Sequence, residues 1–335
     1  MSATRDSRAG GVRRLLEEAV LIPWAGVLFG LVAVCILVSA ISPYFLTVNN
    51  ILGNVALYFS WFAIGGFGEA LVMIGGGLDL SVGSVMGLSG MVSALLLAGG
   101  FPLWLALIGG LAVGAFAGAV NGFAVTRMGL NPFIATLATL GIFRGLAYGV
   151  VLGQAITPPS NAADAAFTVL GTGAVAAVPV PVIVMLVLAV AMYVALAQTP
   201  FGRHVYALGG NEAATRLLGL NVNRLKMLLY ILSGLTAAVG GILLIAHAGT
   251  ALPDAAEGYE LGVIAGVIIG GVSLTGGQGT IPGVLIGAAL LGVINNGIVL
   301  AGLAGYWQQL IIGIVIAAAA GLDVLRQKLA YLRSA

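Results

Sequence analysis

Charge is what this sequence has least of. Only 7% of its 335 residues are Asp, Glu, Lys or Arg, where a soluble domain carries roughly a quarter. That deficit excludes an ordinary water-soluble fold. The net charge of +2 leaves no basic footprint for nucleic acid. One cysteine, Cys35, rules out an internal disulfide. Two histidines, His204 and His247, lie far apart and offer no metal-ligand cluster, so no metal site is expected. No GxxxxGK[ST] phosphate loop occurs, so any ATP and Mg²⁺ would be bound by another chain. No nucleophile–base pair stands out, which argues against an enzyme and leaves no catalytic residue to nominate.

What fills the chain instead is apolar. Hydrophobic residues make up 60% and the mean hydropathy is +1.14. A membrane-spanning helix needs ~20 mostly apolar residues, and the hydrophobic tracts predict spans near 21–41, 51–74, 80–99, 102–125, 131–152, 174–197, 225–247, 259–273, 281–300 and 305–323. The expected fold class is therefore an all-α polytopic membrane protein of about ten helices. The segment 1–20 forms a retained N-terminal tail, 21–325 the transmembrane domain and 326–335 a short C-terminal tail. Arg5, Arg8, Arg13 and Arg14 put the N-terminus in the cytosol by the positive-inside rule. Ten crossings return Arg326, Lys328 and Arg333 to the same side. Arg127 and the segment 199–226 also fall inside, whereas the outward loops near 154–173 and 248–258 hold Asp164, Asp254 and Glu257 without Lys or Arg.

Glycine is abundant, with 52 residues, and most suit close helix packing in a membrane. Two clusters read differently. Gly75-Gly76-Gly77-Leu78-Asp79-Leu80-Ser81-Val82-Gly83 and Gly270-Gly271-Val272-Ser273-Leu274-Thr275-Gly276-Gly277-Gln278-Gly279 predict broken helices in the two halves. Paired breaks of this kind point to a transport pathway and an internal repeat. Val120-Asn121-Gly122 and Ile294-Asn295-Asn296-Gly297 form a second echo.

The polar island 199–226 carries Arg203, Arg216, Arg224 and Lys226, four of the thirteen Lys and Arg residues. Asn211 is a natural N-cap, Glu212 favours the positive end of a helix, and Gly219 suits a left-handed C-cap. Between them Ala214, Leu217 and Leu218 share one face. Such a helix presents a small apolar face and two charges, Glu212 and Arg216, to the cytosol. It has the form of a docking element.

Glu212-Ala213-Ala214 followed by Gly219 is similar to the cytoplasmic coupling loop of ATP-binding-cassette importer permeases. GGGLDLSVGSVMGLSG, NPFIATLATLGIFRGL, GRHVYALGGNEAATRLLGLNVN, YELGVIAGVIIGGVSLTGGQGTIPG and INNG together resemble the ribose/xylose/galactose-type sugar permeases, over residues 45 to 325. The resemblance implies a permease of the bacterial cytoplasmic (inner) membrane, paired with a second permease subunit, either itself or a paralogue. It also implies a separate ATP-binding-cassette ATPase subunit and an extracytoplasmic sugar-binding protein. Residues Asn211 to Gly219, among them Ala213, Ala214, Arg216, Leu217 and Leu218, would then be the coupling helix. A permease for branched-chain amino acids shares the general pattern, and an ion-coupled symporter would use Glu69 and Asp79.

Polar residues inside apolar tracts must face protein or water. Asp79, Ser81, Asn121, Asn131, Asn295 and Asn296 are the candidates for the translocation path, with Gln308 as a further hydrogen-bonding group. Asp79 is equally suited to capping the broken backbone after Gly77. Glu69 and Arg144 are expected to pair with each other. Trp61, Trp104, Tyr306 and Trp307 fit an interfacial aromatic belt.

Overall fold

The computed structural model describes residues 25–158 and 162–304, with isolated positions between 307 and 321. The N-terminal arginines, Tyr306, Gln308, the C-terminal basic residues and most of the expected span 305–323 lie outside the described residues. Among the described residues the helices are α1 (Ala25–Ile41), α2 (Val48–Ile74), α3 (Val82–Ala98), α4 (Leu103–Thr126), α5 (Pro132–Gly149), α6 (Ala162–Thr172), α7 (Val180–Gln198), α8 (Pro200–Gly210), α9 (Glu212–Leu217), α10 (Val222–Ala248), α11 (Tyr259–Ile269) and α12 (Ile281–Leu300). Five of them, α2, α4, α7, α10 and α12, are long and apolar enough to cross a membrane. The shorter apolar helices include α3, which starts beyond the break at 75–81, and α11, which is bounded by Gly258 and Gly270. Broken helices therefore account for the short lengths of these two.

Two elements depart from expectation. The tract 154–173, expected as a loop, contains α6, and a two-residue antiparallel hairpin follows, pairing Ala174 with Pro179 and Val175 with Val178. The island 199–226 holds two helices rather than one. Pro200 occupies the first turn of α8, where its missing N–H costs nothing, and α9 follows after Asn211.

Helix α10 runs through the centre and packs on α2, α3 and α4. Glycines make these approaches tight: Gly234 of α10 lies on the backbone of Gly114 and Gly118, and Gly241 on the backbone of Met86. Nearly every residue of α2 from Leu57 to Ile74 is buried. The outer helices instead expose apolar side chains, such as Ile36 and Leu37 of α1, Phe116 of α4 and Val187 and Val190 of α7. Apolar exposure on the outside of a bundle of hydrophobic helices is the surface that hydrocarbon solvates, not water.

Candidate functional site

Helix α9 is built as a cap at each end. The Asn211 side-chain oxygen accepts from the Ala214 N–H at 2.9 Å, and the Thr215 hydroxyl donates to the Asn211 carbonyl at 2.8 Å. Gly219 follows the helix at φ +80, where a Cβ would be strained. Glu212 receives Arg216 at 3.0 Å and Lys226, from the start of α10, at 2.6 Å. The Lys226 hydrogen bond, helped by Arg216 and opposed by partial burial, holds the Glu212 carboxyl below the usual carboxylate range. Both charges stay partly exposed, at 58% for Arg216 and 43% for Glu212, but they also pair with each other, and Glu212 ties α9 to α10. What the helix does present is Leu217 at 89% exposure and Leu218 at 78%.

The connection behind α9 is made of backbone. A Cβ on Gly209, near the end of α8, would overlap the Ile74 carbonyl and the Gly277 N–H. The Gly277 N–H donates to that same Ile74 carbonyl at 2.8 Å, and Gly76 and Gly276 lie against the same point. The two glycine clusters that looked like distant echoes therefore meet each other, directly beneath the candidate coupling helix.

A second polar cluster lies deeper. Asp79 Oδ1 accepts from the Ser81 N–H at 3.0 Å, the Ser81 hydroxyl at 2.6 Å and the Asn121 amide at 3.2 Å, while Oδ2 accepts from the Ser233 hydroxyl at 2.9 Å. Asn121 also donates to Ser81 Oγ at 2.8 Å and accepts from Thr139 at 2.6 Å. The Asp79 N–H donates to Glu69 Oε1 at 3.1 Å, leaving Oε2 of that buried carboxyl without a partner among the described residues. All of these side chains are buried. The break at 75–81 is thus stitched to α4 and α10 by donors that converge on one carboxylate, and to α5 through Thr139 on Asn121. Asn131 is not part of this cluster; it is exposed and caps α5 through the Phe133 N–H at 2.9 Å.

The expected Glu69–Arg144 pair does not form. Arg144 donates to the carbonyls of Pro253 at 3.0 Å and Ala255 at 2.7 Å, because the 251–258 segment folds back against α3 and brings its carbonyls within reach. Asn296 makes a reciprocal amide pair with Asn50, 2.9 Å in both directions. Neighbouring Asn295 faces a cavity shared by α2 and α12. Trp61 and His247 are also in that wall, their rings 5.3 Å apart. Sequence reasoning missed this grouping; the spacing of Asn50 and Asn54, four apart on one helix, was its only signal.

Apolar helices broken at paired glycine loops, with a capped polar helix beside them, are consistent with a membrane permease. The chain belongs to the family described as the permease component of the branched-chain amino acid transport system, whose model matches residues 51–320. It is 40% identical to the ribose import permease protein RbsC of Escherichia coli (strain K12) over 94% of this chain and 98% of that one. Identity to the D-allose transport system permease protein AlsC of the same organism is 39%, over 90% and 92% of the two chains. For its L-arabinose transport system permease protein AraH the figure is 33%, over 98% of each.

Proposed function

We propose that this chain is the membrane permease subunit of an ATP-driven, binding-protein-dependent importer of a monosaccharide. It crosses the inner membrane about ten times, with both termini in the cytosol. ATP and Mg²⁺ are held by a separate ATPase subunit, a second permease subunit completes the path, and an extracytoplasmic sugar-binding protein delivers the substrate. The reading is supported by relatives that are sugar permeases over nine-tenths or more of the chain. The observation that carries it is the exposed Leu217–Leu218 pair on a helix whose charges are already paired. Adjacent apolar side chains left open on a polar helix mark a surface for contact with another protein.

The mechanism follows from how α9 is mounted. Closure of the partner ATPases moves α9. Its tie to Lys226 carries that motion into α10, and the Gly209 contact carries it into both broken-helix loops. Asp79, Ser81 and Asn121 keep the first break intact while the bundle alternates, and Asn295 and Asn296 border the route. Uptake of labelled monosaccharide by vesicles holding the full transporter should require internal or trapped ATP and should survive collapse of ion gradients. Uptake driven by an ion gradient without ATP would overturn the assignment.

A further inference from the structure

One cavity is not explained by packing. It has a volume of about 310 Å³ and lies between α2 and α12, in the half of the bundle remote from the charged island, where His247 ends α10. That size falls within the roughly 300–1,000 Å³ of small-ligand sites. Its back wall is rigid. Both Asn50 N–H groups are used, on the Phe45 carbonyl at 3.0 Å and on Asn296 at 2.9 Å, and Asn54 donates to Asn50 Oδ1 at 2.9 Å. The front is unspent: the Asn54 amide oxygen accepts no bond from the described residues, and the Asn295 amide makes none with them. The Trp61 indole N–H is buried without a partner among the described residues, and an unmet buried donor is costly. Alongside sit the Trp61 and Tyr58 rings, 6.3 Å apart edge to face.

The backbone here is also unusual. Residues Ile51–Ala56 of α2 form a π-helical turn, a geometry common at functional sites, and Gly53 and Asn54 within it both face the cavity. Among the described residues no carboxylate, ammonium or guanidinium lines the space. Amide groups and aromatic faces without fixed charge match a neutral polyol. An amino acid would leave two charges without counter-charges.

We propose that this cavity is a weak waystation for a neutral monosaccharide, with Asn54 and Asn295 as hydrogen-bonding groups and Trp61 as the ring platform. The inference rests on the sugar-permease reading and adds the place and the residues. The His247 ring, whose Nδ1 lies 3.2 Å from the Gly171 carbonyl, closes the far wall.

The test uses the complete transporter in vesicles, titrated with D-ribose, D-allose and L-arabinose while intrinsic tryptophan fluorescence is followed. A saturable change with at least one sugar is expected at millimolar concentrations. It should vanish in Trp61→Phe, persist in Trp104→Phe, and need at least fivefold more sugar in Asn295→Ala. Retention of the ATPase subunit by each variant serves as the folding control. Wild-type vesicles that import a sugar with ATP yet show no such change would overturn the site and leave the function standing. An unchanged half-saturation in Asn295→Ala would do the same. Wild-type vesicles that import none of the neutral sugars would instead overturn the functional reading.

Discussion

Helix α9 and the Asp79 cluster use the same residue types to opposite ends. In the cluster a carboxylate gathers four hydrogen bonds from three elements and nothing is exposed. In α9 a carboxylate also collects its partners, Lys226 and Arg216, but the result leaves two leucines in the open. Polar groups inside the bundle satisfy the chain's own broken backbone. Those on α9 leave an apolar face open, which in the proposed reading is the docking surface. Burial of donors and acceptors marks a structural joint.

The contrast yields ordered predictions. Asp79→Ala should have the largest effect on the molecule itself, because it strands donors from Ser81, Asn121 and Ser233 in the interior. Each buried donor left unsatisfied costs about 1–3 kcal/mol, so the thermal midpoint in detergent should drop sharply and yield should fall. Gly209→Val comes next. It must displace either Ile74 or the Gly277 loop, at a cost of about 1–3 kcal/mol for overpacking, and ATP-dependent uptake should fall at least tenfold while the ATPase stays bound. Asn211→Ala removes one cap and should cost about 1 kcal/mol of α9 stability, read as faster hydrogen exchange confined to 212–218.

The smallest effect is that of pH. A carboxyl whose pKa is depressed in the folded protein contributes stability in full above its unfolded value, near ~4.3 for Glu, and loses it as pH falls through the lower folded value. Glu212 is such a group. Retention of the ATPase should therefore be flat from about pH 8 to 6 and weaken only in acid, below the usual carboxylate range. Glu212→Gln should remove that acid dependence; the same acid loss in the variant would show that Glu212 is not its source.

Much of the architecture was legible because membrane helices announce themselves by length and hydropathy. The expected tracts at 51–74, 102–125 and 281–300 match Val48–Ile74, Leu103–Thr126 and Ile281–Leu300 within three residues at each end. Helix α9 was legible for a local reason: its N-cap, first-turn acid and C-terminal glycine all lie within nine residues. Helix α8 could have been found from Pro200 at its first turn, but its glycines and charges read as loop. Helix α6 is too short to cross a bilayer and lacks a hydropathy signal. Partners distant in sequence were hidden. Ser233 lies 154 positions from Asp79 and Asn296 lies 246 from Asn50, and no local pattern encodes either meeting. Arg144 was misassigned because opposite charges in apolar tracts suggest a pair, whereas backbone carbonyls are equally good acceptors and carry no sequence label. Trp61 was taken for a belt residue because aromatic position along a span does not reveal which way the ring turns.

The most direct test is to purify the full transporter through this chain, intact and as the Leu217→Asp/Leu218→Asp double variant, and to measure ATPase retention and thermal midpoint together. Both leucines are exposed, so the variant should keep the wild-type midpoint and lose the ATPase. An ATPase still retained, or a midpoint lowered as far as by Asp79→Ala, would contradict the assignment of α9 as the surface that faces the motor.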